Sequence, residues 1–174
     1  MVPRALSSGL SRIFLLMPSK FKIVLFAPEI PGNTGSIGRT CVALDLELIL
    51  IRPYGFEIDD KAVRRAGLDY WKYVQLKEFD SWDDFLEKEA PPEEKLIFLE
   101  NTGEELYYDA PYTQGCYLIF GRETSGFPPE LETRYKMNIY RLPMYSEHIR
   151  SLNLSNVATT VAYECLRHLL PRKV

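Results

Sequence analysis

Arg150-Ser151-Leu152-Asn153-Leu154-Ser155-Asn156 sets a cation and a run of small polar groups at the mouth of an apolar helix. From Leu154 onward, apolar residues recur at Val157, Ala158, Val161, Ala162, Cys165, Leu166 and Leu169. Alternating steps of three and one are the period of a helix that buries one face. Ser151, Asn153 and Ser155 are each good N-cap residues, and a helix needs only one. The others, next to Arg150, leave backbone N–H groups and side-chain donors to offer a polar ligand. Two readings stay open at this point: a helix cap alone, or a cap that is also part of a binding site.

Upstream of that stretch, apolar runs at residues 21–27, 46–51, 95–99, 116–120 and 137–142 alternate with helix-like segments at 35–44, 59–65, 81–89 and 129–135. Continuous rather than alternating apolar runs suit strands covered on both faces. The order predicts an α/β domain, a mostly parallel sheet with helices on both faces. Ligands of such folds bind beyond the carboxyl ends of the strands, so the loops after the runs should carry function.

Composition narrows the classes further. The chain has 174 residues, 46% hydrophobic and 13% aromatic, which suits one domain with an ordinary core and excludes a disordered tail. No apolar run is long enough to cross a bilayer. Residues 1–20 read as an N-terminal extension, disordered or outside the core, because their apolar patch is short and lacks a convincing cleavage site. Residues 21–170 read as the single domain. Cys41, Cys116 and Cys165 are widely spaced among apolar neighbours, as expected of reduced core thiols in a cytoplasmic protein. With two histidines and no Cys-x-x-Cys pair, no metal site is expected. A net charge of −3 argues against a protein that coats nucleic acid, though local basic clusters occur at Lys61, Arg64 and Arg65, at Arg134 and Lys136, and at Arg141 and Arg150.

The loop after the first run reads Pro31-Gly32-Asn33-Thr34-Gly35-Ser36-Ile37-Gly38-Arg39-Thr40. It is neither a P-loop, which has four residues between its glycines and then a lysine, nor the G-x-G-x-x-G dinucleotide fingerprint. What remains is a glycine-permissive turn expected to expose Asn33 and to put Arg39 on the first or second turn of a helix, ready for an anionic partner. After the fourth run, Phe120-Gly121-Arg122-Glu123-Thr124-Ser125-Gly126 places glycines around a short polar loop. There Gly121 permits close approach of a ring or backbone, and Glu123 adds a carboxylate.

Taken together, the segment from Asn33 to Arg39, the Phe120 to Gly126 loop, and Leu142-Pro143-Met144 followed by Ser151 to Asn156 resemble, in order and spacing, the three motifs of the SPOUT methyltransferases. Within that superfamily, Pro28-Glu29-Ile30-Pro31-Gly32-Asn33-Thr34-Gly35 and Arg64-Arg65-Ala66-Gly67-Leu68-Asp69-Tyr70 are similar to the small single-domain tRNA wobble-nucleotide ribose 2′-O-methyltransferases. The resemblance runs from about Phe21 to Leu169. It departs from the usual pattern at Ser125, where a basic residue is common, and at Glu147-His148-Ile149, which replaces a small polar stretch.

The resemblance implies a C-terminal deep trefoil knot, a bound S-adenosylmethionine, a homodimer and a tRNA substrate methylated on the ribose of cytidine or uridine. It places the cofactor against Leu99, Glu100, Gly121, Leu142, Met144, Ser151, Leu152 and Asn153. It assigns catalysis to Arg39 with Asn33, Glu123, Ser151 and Asn153, and RNA contacts to Arg39, Lys61, Arg64, Arg65, Arg122, Arg150 and Tyr163. No metal enters. A guanidinium stays protonated, so Arg39 is better suited to holding a phosphate and stabilising a developing alkoxide than to acting as a base. Methylation of another tRNA or rRNA nucleotide, or a non-catalytic cofactor- and RNA-binding module, are the alternatives.

Overall fold

The computed structural model describes residues 20–56 and 69–170. The expected helix at 59–65, the RNA candidates Lys61, Arg64 and Arg65, and nearly all of the N-terminal extension lie outside the described residues.

Seven strands form one sheet: β1 (Phe21–Phe26), β2 (Glu47–Ile51), β3 (Gln75–Phe79), β4 (Leu96–Leu99), β5 (Glu105–Leu106), β6 (Cys116–Phe120) and β7 (Ile139–Arg141). Their order is β3-β2-β1-β6-β4-β7-β5 and every pairing is parallel, so the sheet is wholly rather than mostly parallel. Among the described residues four α-helices cover it: α1 (Pro31–Leu44), α2 (Trp82–Glu89), α3 (Pro129–Arg134) and α4 (Leu154–Leu169).

Because side chains alternate along a strand, each strand feeds two cores. On one face Ile23, Leu25, Leu48, Leu50, Leu118 and Phe120 pack against Ile37 and Cys41 of α1 and Ala158, Val161, Ala162 and Cys165 of α4. On the other, Val24, Ile49, Phe98 and Ile119 pack against Trp82 and Phe85 of α2 and Leu131 of α3, with Tyr135 stacked on Phe98. Each such fully buried aliphatic or aromatic side chain contributes about 1.5–3 kcal/mol from apolar transfer. Cys41, Cys116 and Cys165 are free and buried, as their apolar neighbours predicted.

The differences from the sequence reading have local causes. α1 begins at Pro31 rather than at residue 35, because proline suits the first helical position, where its missing N–H costs nothing. Residues 31–34 are therefore helix instead of turn. Asn33 is consequently buried, not exposed, and Arg39 sits on the third turn. The last strand is only Ile139–Arg141; Lys136–Asn138 form a 3₁₀ turn. There the Asn138 amide donates to the carbonyls of Glu93 (3.2 Å) and Leu96 (3.0 Å) instead of extending the ladder. β3 was not anticipated because an edge strand with one fully buried residue has no apolar run, and charges such as Lys77 and Glu78 suit an unpaired edge. β5, two residues long, leaves no pattern to read.

Registers Leu25↔Phe120, Leu99↔Phe120 and Leu99↔Tyr140 bring the ends of β1, β6, β4 and β7 side by side. The loops that follow them must share one space.

Candidate functional site

That space is a cavity of about 480 Å³ at the carboxyl edge of the sheet. Leu99, Phe120, Leu142, Leu154 and Val157 supply apolar wall, and Glu100, Asn101, Arg122, Arg150, Ser151 and Asn153 supply polar groups around it. Of the eight cofactor residues expected from the sequence, Leu99, Glu100, Gly121, Leu142, Ser151, Leu152 and Asn153 line the cavity; Met144 is half-buried and outside its lining.

One hydrogen-bonded chain holds the three loops together. Glu123, from the loop after β6, accepts from the backbone N–H groups of Glu29 (2.7 Å) and Ile30 (3.2 Å) and from the Asn33 amide (3.1 Å). Ile30, the N-cap of α1, has no capping side chain of its own, so a carboxylate from a distant loop takes that place. The Asn33 carbonyl oxygen in turn accepts from the Asn153 amide at 2.9 Å. Asn153 is the N-cap of α4: its Oδ1 accepts from the Ser155 N–H (2.9 Å), the Asn156 N–H (3.3 Å) and the Ser155 hydroxyl (2.6 Å). A reciprocal pair reinforces the first link, since the Glu29 carboxylate accepts from the Thr124 N–H (2.9 Å) and hydroxyl (2.8 Å). Asn33, Glu123 and Asn153, three of the expected catalytic residues, are thus bonded to one another and shape the site.

The loop after β6 is narrow for a backbone reason. Arg122 and Gly126 exchange backbone hydrogen bonds at 3.1 and 3.0 Å. Gly126 has φ +65°, and a Cβ there would lie 2.3 Å from Glu100 Oε2, so only glycine lets the Glu100 carboxylate pack against the turn. Burial raises the Glu100 pKa above its ordinary value; the Asn101 N–H, 2.8 Å from Oε1, partly offsets this, and the Glu132 charge adds to the rise. A desolvated carboxylate at the cavity is suited to a ligand with hydroxyl or cationic groups.

The cationic candidates divide. Arg122 and Arg150 line the cavity, and among the described residues neither has a carboxylate within ion-pair distance. The Arg150 carbonyl accepts from the Asn101 amide at 3.1 Å, joining the loop after β4 to the start of the Ser151 to Asn156 stretch. Arg39 is exposed and outside the cavity lining, its guanidinium 4.6 Å from the centre of the Tyr70 ring. Tyr163 stands half-exposed on the outer side of α4 and does not reach the cavity lining. Glu29, Thr124 and Asn101 were missed as site residues. Glu29 lay inside the Pro28 to Gly35 phrase, and Thr124 inside the loop already singled out, but nothing in the sequence pairs residues so far apart. Among the described residues no cluster of His, Cys, Asp and Glu could hold a metal, and no helix is long and apolar enough to cross a membrane.

Residues 20–163 match the SpoU rRNA Methylase family. A protein of Saccharophagus degradans named tRNA (cytidine(34)-2'-O)-methyltransferase is 45% identical over 150 residues, which cover 86% of this chain and 96% of that protein. A solved structure described as "Structural insights into the 2-OH methylation of C/U34 on tRNA" superposes with a TM-score of 0.76 at 40% identity, covering 86% of this chain and 95% of the other. The SpoU methyltransferase AviRb from Streptomyces viridochromogenes, in complex with the cofactor AdoMet, superposes with a TM-score of 0.72 at 28% identity over 87% of this chain and 59% of its own.

Proposed function

The chain belongs to the SpoU rRNA Methylase family, and from that premise we propose that it methylates the ribose 2′-oxygen of the first anticodon nucleotide of tRNA, cytidine or uridine, using S-adenosylmethionine. The observation that carries this reading is the convergence of all three sequence motifs on one cavity of nucleoside size, tied by the Glu123–Asn33–Asn153 chain. Relatives above 40% identity that are named for the wobble cytidine weigh against another tRNA or rRNA nucleotide.

The residues present fit the cofactor. Leu99, Phe120, Leu142 and Val157 would bury the faces of an adenine, Glu100 would accept from hydroxyl or ammonium groups, and Ser151 and Leu152 would close the side nearest α4. When bound, S-adenosylmethionine supplies an electrophilic methyl group on a sulfonium that leaves as a neutral thioether. The protein's part is to hold the ribose oxygen in line and to stabilise charge as the proton departs. Arg39, exposed outside the cavity lining, would act on the RNA side, holding a phosphate and stabilising the developing alkoxide. Arg122 and Arg150 would meet phosphates at the cavity. Lys61, Arg64, Arg65 and Tyr163 extend the RNA surface in a homodimer, where two acidic chains can still present one basic cleft. The trefoil knot, the dimer and a cytoplasmic location belong to this reading.

The test is transfer of labelled methyl from S-adenosylmethionine to unmodified tRNA, followed by alkaline hydrolysis and mapping. Label in an alkali-resistant dinucleotide at the first anticodon position is expected. Label elsewhere would keep the chemistry and move the substrate; no transfer despite cofactor binding would leave a binding module.

A further inference from the structure

We infer that Tyr70 is the positioning residue for Arg39, holding the guanidinium at the outer face of α1 so that it meets the RNA ready-aimed. The inference rests on the reading of Arg39 given above and adds a residue to which no role has been assigned.

Tyr70 precedes a short 3₁₀ turn, Trp71–Tyr73, which leads into β3. Three contacts fasten this segment to α1. The Tyr70 hydroxyl donates to the Gly35 carbonyl at 2.8 Å. The Trp71 ring lies against the backbone of Gly38, where an added Cβ would come within 2.5 Å of it, and the indole packs on the core beneath. The Arg39 guanidinium sits over the Tyr70 ring at 4.6 Å. Residues 35, 38 and 39 share one side of a helix, so the three contacts act on one surface. Glycine inside a helix is destabilising relative to alanine, and at Gly38 the close approach of Trp71 is the compensating gain.

The consequence falls on Arg39. An exposed arginine ordinarily samples many rotamers and loses that side-chain entropy when it is fixed. Here a ring whose own hydroxyl is tied to the same helix restricts that freedom. The attraction is to a π-face, so the positive charge is not neutralised; among the described residues no carboxylate lies within ion-pair distance of Arg39. An ion pair would have oriented the side chain and competed with a phosphate for it. The aromatic seat orients it without that competition.

Four variants test this: Tyr70→Leu, Tyr70→Phe, Arg39→Ala and the double variant Arg39→Ala/Tyr70→Leu. Each is measured for S-adenosylmethionine affinity and for single-turnover methyl transfer at saturating tRNA. Tyr70→Leu should slow transfer about tenfold with cofactor affinity unchanged. Tyr70→Phe, which keeps the ring, should recover most of the rate. In the Arg39→Ala background Tyr70→Leu should slow nothing further. Independently of activity, the Arg39 side-chain resonances should show an aromatic ring-current shift in the wild type and Tyr70→Phe that disappears in Tyr70→Leu. An equal loss from Tyr70→Leu with and without Arg39, or an unshifted Arg39 in the wild type, would overturn the inference. Arg39→Ala at the wild-type rate would remove the reading of Arg39 on which it rests. A wild type that transfers no methyl group would instead strike the proposed function.

Discussion

A charged cluster at the amino end of the sheet and the cavity at its carboxyl end handle charge in opposite ways. At the amino end, Lys22 of β1 pairs with Glu47 of β2 at 3.2 Å and with Glu89 of α2, while Lys77 of β3 reaches the same two carboxylates at 3.1 and 3.0 Å. Tyr117 of β6 donates to Glu89 at 3.2 Å. Every charge in this cluster has an opposite partner, and with Tyr117 the cluster joins α2 to four adjacent strands. At the carboxyl end the carboxylates of Glu29 and Glu123 meet only uncharged N–H and hydroxyl donors, Glu100 is desolvated, and Arg122 and Arg150 face the cavity without an acidic partner. Neutralised charge has nothing left to offer a ligand, whereas unpaired charge does. The cluster is therefore built for stability and the cavity for binding.

Changing Lys22 to methionine should have the largest effect, since it leaves Glu47 and Glu89, both little exposed, to share Lys77 alone. A loss of about 3 kcal/mol is expected, or about 6–12 °C in Tm, with cofactor affinity of the folded protein unchanged. The same cluster sets a pH window. Burial alone would raise the Glu89 pKa, but hydrogen bonds from Lys22 and Lys77 outweigh it and hold it below its ordinary 4.5. Its contribution is present above that value and is lost as pH falls through the lower folded value. Burial alone would lower Lys22 and Lys77, but hydrogen bonds and charge from Glu89 and Glu47 hold both above their ordinary 10.5, so their contribution is lost only as pH rises beyond it. Thermal melts across that range should show a plateau with both shoulders, and the Lys22 variant should lose height on it. A variant as stable as the wild type would break the contrast between the ends.

Asn153→Ala sharpens the contrast from the other side. It removes the α4 cap, worth about 1 kcal/mol, and releases Asn33 from its 2.9 Å bond. A small fall in Tm should accompany a loss of about tenfold in S-adenosylmethionine affinity, by calorimetry. A fall in Tm with affinity intact would make the chain of amides scaffold alone. The smallest effect is expected from Glu100→Gln. Because burial raises the Glu100 carboxyl, its ionised form is disfavoured in the fold, and wild-type stability should rise as pH falls through the raised folded value and level off below the ordinary 4.5. The glutamine variant should be more stable than wild type at neutral pH by less than about 1 kcal/mol, lack that pH response, and bind the cofactor more weakly. Equal affinity would take Glu100 out of the ligand's reach.

The parts of this protein that could be read in advance are those whose chemistry is contiguous along the chain. α4 was legible from Leu154 to Leu169 because its period repeats, and β6 because five apolar residues run together. The loop after β6 was legible because Gly121 and Gly126 bracket polar residues. β3 escaped because its pattern is dictated by a sheet edge, and the start of α1 escaped because its cap, Glu123, lies some ninety positions away. Asn33 was expected to be exposed for the same reason: its partners, Glu123 and Asn153, come from loops the local sequence cannot see.

Local pattern was enough to place helix and strand wherever burial is periodic, to predict a mostly parallel sheet, and to mark three loops as carriers of polar ligand chemistry. Periodicity and turn chemistry are local properties, written within a few residues of where they act. Folding added what no local pattern holds: those loops close on one cavity, Glu123 and Asn153 are bonded through Asn33, Met144 stays out of the lining, and Arg39 rests on Tyr70 at the outer face of α1. Those are hydrogen bonds and contacts between residues tens of positions apart. They form only when the parallel registers bring the strand ends together.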